Sequence, residues 1–139
     1  VPEGFDNFDI NEFMADFSNL NNTIVKYECY WLSGLAYIIL ASSLKDNFEN
    51  NQRRKIRDEY YQKGIDYYTE ALKKDENSYN YNNRGIARAR LHEYELAIED
   101  FNLAMTLDPN NLLIYYNNRG AVNYRKEKYY FLENLKVIN

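Results

Sequence analysis

Side chains suited to covalent or proton-transfer chemistry near neutral pH are scarce in this chain: one cysteine, Cys29, and one histidine, His92. A thiol and an imidazole can serve as nucleophile and base, provided a third group fixes the imidazole. Nothing in the spacing supplies that group. Cys29 sits in a helical context, where a lone cysteine reads as a small buried packing residue. His92-Glu93 reads as a turn. The adjacent acids Asp58-Glu59 and Glu99-Asp100 fall at scattered helical positions and read as solvated faces. The run Arg53, Arg54, Lys55 and Arg57 reads the same way, because Asp58 and Glu59 follow it at once. No HExxH, GxSxG or Walker-type run occurs. The expectation is a chain that is not an enzyme, with no cofactor and no bound metal.

The elements that carry these residues show a different kind of order. Tyr-Asn-Asn-Arg-Gly occurs at residues 81–85 and again at 116–120, a period of 35 residues. Periods between about 20 and 50 residues mark repeat arrays, whose units bury their apolar faces against their neighbours and present extended concave surfaces. Two prolines and five glycines in 139 residues leave long stretches for helix, and no alternating strand pattern appears. Ala97, Phe101 and Ala104 follow spacings of four and three, which puts them on one helix face. Asp108-Pro109-Asn110-Asn111 ends that helix, since proline cannot continue the hydrogen-bond ladder.

The unit from Ser78 to Asn111 resembles a tetratricopeptide repeat. The resemblance rests on Tyr81, Gly85, Tyr94, Ala97, Phe101, Ala104 and Pro109, seven positions in the order and spacing of that family. Arg88 departs from it, standing where the family has an aromatic or aliphatic residue. Upstream, Tyr30, Gly34 and Tyr37 reproduce the spacing of a first helix, and Gly64, Tyr68 and Ala71 that of a second. The 30 residues from Gly34 to Gly64 exceed the 12 from Gly85 to Ala97, a surplus that two elongated helices would absorb. A loop around residues 46–51 is the alternative. Downstream, Tyr116, Gly120 and Tyr129 begin a third unit whose second helix carries bulky Phe131, Leu135 and Ile138. That reads as a terminal unit with an exposed apolar end.

The expected fold is all-α, a helix-turn-helix array of about three repeats near residues 23–77, 78–111 and 113–139, the first with elongated helices. Together they form a domain over 21–139. Residues 1–20 stand outside it as an acidic amphipathic segment, with Phe5, Phe8, Phe13, Phe17 and Leu20 at roughly helical spacing. This segment is either an extra helix packed on the first repeat or an occupant of the groove or of a partner. Seven helices are expected, near 9–20, 23–45, 50–74, 79–91, 94–107, 113–125 and 128–138.

The resemblance implies that first helices line a concave groove, which assigns Tyr79, Asn82, Asn83 and Arg90 of the middle unit to it. The third unit would contribute Asn117, Asn118, Tyr124 and Arg125, and the first unit an apolar wall around Trp31. Asn83 and Asn118 would form rungs whose amides bond a peptide backbone, or they brace neighbouring repeats. Arg90 and Arg125 would receive acidic side chains or a carboxylate. The two-carboxylate clamp of some tetratricopeptide co-chaperones is not reproduced, since Trp31, Leu35, Ile114 and Asn118 occupy four of its five positions.

Composition fits a folded globular domain. Hydrophobic residues make up 45% and charged residues 27%, an ordinary globular balance, and the net charge of −4 offers no large basic field for nucleic acid. The longest apolar stretch, residues 35–41, is far shorter than the ~20 residues of a membrane span. A single cysteine suits a reducing compartment, so a cytoplasmic location is expected. The expected role is an adaptor or scaffold that holds a peptide or helix of a partner protein. The alternatives are a targeting or oligomerisation module of a larger enzyme, and a structural homodimer joined through the apolar ends.

Overall fold

The computed structural model describes residues 9–44 and 51–138, and six helices account for most of them. They are α1 (Ile10–Lys26), α2 (Tyr30–Ser43), α3 (Asn51–Lys74), α4 (Ser78–Arg90), α5 (Tyr94–Leu107) and α6 (Leu112–Ile138). No strand occurs among the described residues, and no helix there is long and apolar enough to cross a membrane.

Local chemistry explains where the helices begin and turn. The Asp9 carboxylate accepts from the Asn11 and Glu12 amides and caps α1. Asn77 caps α4 by accepting from the Asn80 amide at 2.8 Å. Two connections, after α1 and after α4, pass through a left-handed residue: Glu28 at φ 59° and His92 at φ 62°. In both, the next amide closes onto a carbonyl five residues back, Cys29 to Ile24 and Glu93 to Arg88.

Each core layer bridges consecutive helices. Tyr61, Ile65, Ala41 and Ala87 join α2, α3 and α4, while Ala89, Tyr94, Ala97, Phe101 and Val122 join α4, α5 and α6. Glycines set the spacing within pairs. A Cβ at Gly34 would lie 2.7 Å from the Tyr68 ring, and one at Gly85 would lie 2.9 Å from the Phe101 ring. Both aromatic rings are completely buried, so α2–α3 and α4–α5 are hairpins of one design.

The helix boundaries correct several expectations. Six helices form among the described residues rather than seven, because α6 runs unbroken through residues 126–127. Arg125-Lys126-Glu127-Lys128 contains no breaker, and tertiary contacts hold it straight. Lys126 Nζ pairs with Glu95 Oε1 at 2.7 Å, and Tyr129 stacks on His92 with ring centroids 4.7 Å apart. The third unit is therefore one long helix and not a hairpin. Only one helix of the first hairpin is elongated: α2 has 14 residues, close to the 13 of α4, whereas α3 has 24. α1 claims residues up to Lys26 because Asn21 is buried and donates to the Tyr67 hydroxyl at 3.2 Å. The loop considered at residues 46–51 lies outside the described residues, except for Asn51, which opens α3.

The described part of the amino-terminal segment packs on the first hairpin. Phe17 meets Tyr37 edge-on at 5.1 Å, and Met14 Sδ accepts from the Tyr60 hydroxyl at 3.2 Å. Phe5 and Phe8 lie outside the described residues.

Candidate functional site

The arginine that departs from the repeat pattern has a structural partner. Asp100, 1% exposed, accepts from Arg84 Nε at 3.0 Å, from Arg84 Nη2 at 2.8 Å and from Arg88 Nη1 at 2.9 Å. Arg84 Nη1 also donates to Thr69 Oγ1 at 3.2 Å, so one cluster clips α3, α4 and α5 together. Two guanidiniums around one carboxylate leave a local positive excess, and their hydrogen bonds satisfy the buried charge. The reading of Glu99-Asp100 as a solvated pair is thus wrong for Asp100. Its spacing from Ala97 and Ala104, three and four residues, carried the signal that it shares their buried face.

Of the residues assigned to one groove, Arg90 and Arg125 line one cleft, Trp31 and Tyr79 another, Asn117 and Tyr124 lie on an outer face, and Asn82, Asn83 and Asn118 line neither cleft. The first cleft, of about 630 Å³, lies where the carboxy-terminal ends of α2 and α4 meet α3 and α6. Arg90 and Arg125 line it, together with Arg54, Arg57 and Lys128. Asp58 is the one carboxylate among its lining residues, and it already accepts from Arg57 at 3.1 Å. Arg54, Arg90, Arg125 and Lys128 are exposed and make no ion pair with the described residues. Five cations against one acid make this cleft strongly positive on a molecule whose net charge is −4. Tyr61, Tyr94 and Tyr129 supply its walls, and burial raises the pKa of Tyr94, which keeps its phenol neutral.

Trp31 and Tyr79 form a second cleft of about 390 Å³ with Glu28, Tyr30, Lys74 and Asn80. Their rings meet edge-on at 6.0 Å, and both are nearly half exposed. A Lys74–Glu28 ion pair closes one side. Asn118 Nδ2 donates to Asn82 Oδ1 at 2.8 Å, which ties α6 to α4. The Asn83 amide nitrogen is buried without a hydrogen-bond partner among the described residues. Asn117 and Tyr124 are exposed, three and four residues from Gly120, so they share the Gly120 face of α6 and line neither cleft.

Arg54, Arg57 and Lys128 are the functional candidates that sequence reasoning missed. No sequence signal places Arg54 and Arg57 opposite Arg90, because that proximity depends on how α3 crosses α2 and α4. Cys29, expected as a buried helical residue, is instead the half-buried N-cap of α2. His92 lies in its turn as expected and lines the basic cleft, with Nδ1 2.7 Å from the Tyr94 hydroxyl.

The hairpin of α4 and α5 is also where comparison with known proteins finds a match: residues 79–111 match the family model for the tetratricopeptide repeat. No curated protein and no solved structure matches the chain significantly. Such repeats generally mediate protein–protein interaction. The hairpin of α4 and α5 is therefore a tetratricopeptide repeat, and the matched glycine seats in α2 and α4 show that α2 and α3 pack in the same way.

Proposed function

We propose that this chain is a protein–protein adaptor that holds an acidic peptide segment of a partner in its basic cleft. The observation supporting this reading is the convergence of Arg54, Arg90, Arg125 and Lys128, from three helices, on one opening with a single, already engaged carboxylate. Guanidiniums bind carboxylates through paired N–H donors, and clustered like charge raises both affinity and encounter rate for an opposite partner. The cleft at Trp31 and Tyr79, at the opposite ends of α2, α3 and α4, offers an aromatic wall for an apolar side chain farther along the same ligand.

The test is fluorescence anisotropy with a labelled glutamate-rich peptide. Binding is expected to weaken with salt, as for any pairing of exposed charges. Replacing Arg90→Glu together with Arg125→Glu should weaken it by roughly tenfold or more while leaving the melting temperature unchanged, since both residues are exposed. Equal affinity of the two proteins, or salt-independent binding, would refute this site.

A further inference from the structure

The repeated pentapeptide places three features at the same stations of α4 and α6. Arg84 and Arg119 lie above the rings of Tyr81 and Tyr116, with the guanidinium carbon 5.6 Å and 5.0 Å from the ring centres. Gly85 and Gly120 follow those arginines directly. In α4 these features receive α5: Phe101 lies against Gly85, the Ala97 carbonyl would stand 3.2 Å from a Cβ added there, and Asp100 fills the Arg84 fork. α2 is used likewise, with Tyr68 of α3 against Gly34.

At Gly120 the corresponding space is open, with no atom of the described residues within 4 Å of an added Cβ. Arg119 donates to Asn102 in an exposed bond and meets no carboxylate among the described residues. The face is also largely apolar, with Asn117, Glu127 and Asn134 among its exposed polar members. Leu113, Tyr116, Tyr124, Phe131, Leu135 and Ile138 recur around Gly120 at helical spacing, and all are exposed. An exposed apolar stripe of that length marks an interaction surface.

We infer that the Gly120 face of α6 is a preformed seat for a helix of another protein carrying the α5 pattern, small-x-x-acid-aromatic-x-x-small. In α5 that pattern is Ala97, Asp100, Phe101 and Ala104. The aromatic ring lies against Gly120, the small residues let the two backbones approach, and the acid enters the Arg119 fork. Tyr116 holds that fork in place before the ligand arrives, so little side-chain freedom is lost on binding. The inference does not depend on the basic cleft, which lies on other residues.

The probe is a synthetic peptide of residues 93–108, stapled between positions 95 and 99. Both positions are exposed in α5, and the staple removes the cost of helix formation from the measurement. One-to-one binding to the full chain is expected by calorimetry. Gly120→Leu should weaken it by about tenfold or more by filling the seat, without lowering the melting temperature. Arg119→Ala and an Asp100→Asn change in the peptide should each weaken binding, and together no more than either alone. Absence of binding by the helical peptide, or binding that survives Gly120→Leu, overturns the inference. So does a concentration-dependent dimer that Gly120→Leu abolishes, because the occupant would then be a second copy of this chain.

Discussion

A single methyl group added at Gly85 or at Gly120 should move stability in opposite directions, although each glycine follows the same four residues, Tyr-Asn-Asn-Arg. Both lie inside helices, where alanine is favoured over glycine by about 1 kcal/mol. At Gly120 nothing offsets that gain, since a Cβ meets no atom of the described residues within 4 Å. Gly120→Ala should therefore stabilise by about 1 kcal/mol and raise the melting temperature by roughly 3–5 °C for a domain of this size. At Gly85 the same carbon would lie 2.9 and 3.1 Å from Phe101 and 3.2 Å from the Ala97 carbonyl. Phe101 is 1% exposed and has no free volume to enter, so overpacking costs about 1–3 kcal/mol. The net effect at Gly85 is a loss of up to about 2 kcal/mol. Thermal melts followed by circular dichroism, with urea titrations at fixed temperature, measure both variants. If the two substitutions shift stability in the same direction, the asymmetry between a filled and an open helix seat is refuted.

Asp100→Ala should destabilise by about 3–5 kcal/mol, because it leaves two arginines around an empty position in the core; a urea midpoint close to wild type would dismiss the cluster as a structural clip. Asn118→Ala should cost about 0.5–1.5 kcal/mol through its bond to Asn82, and a double-mutant cycle with Asn82→Ala should show that the two losses do not add. Affinity for the acidic peptide should not change in that variant; if it falls, the asparagine touches ligand. Stability should be independent of tyrosine ionisation below pH 10 and fall above it. Burial is the leading cause that raises the phenols of Tyr37, Tyr60, Tyr68, Tyr94 and Tyr115 above the usual value of 10.0, while the hydrogen bond to Glu76 leads for Tyr81. The unfolded chain then releases protons first, so rising pH favours it. A titration of phenolate absorbance in which these tyrosines ionise without unfolding would contradict this.

The Asp100 cluster illustrates a conflict between local pattern and tertiary use. Buried ion pairs contribute little net stability compared with apolar residues of the same size, yet they are costly to break. Here the pattern-breaking Arg88 and the acid it meets are twelve residues apart and on different helices. Each looks like a surface residue when read alone. Their value lies in register, since the forked geometry of Arg84 and Arg88 accepts Asp100 at one alignment of α4 and α5.

The all-α class, the hairpin of α4 and α5 and the pairing of Gly34 with Tyr68's helix were legible in the amino-acid order. Helical periodicity is written into residues three and four apart, whereas the pairing of Gly34 with the helix of Tyr68, 34 residues on, was legible only through the repeat period. The repeat period also paired Arg90 with Arg125, one unit apart, and both line the same cleft. Three other points depend on tertiary packing. It extended α6 through residues whose own propensities permit helix, by fixing Tyr129 on His92 and Lys126 on Glu95. It carried Arg54 from a charged run into the cleft with Arg90, a proximity between residues 36 apart that no local pattern encodes. And it left the Gly120 face open: a glycine records that a neighbour can approach closely, whereas which helix fills the space is set by the packing of whole helices.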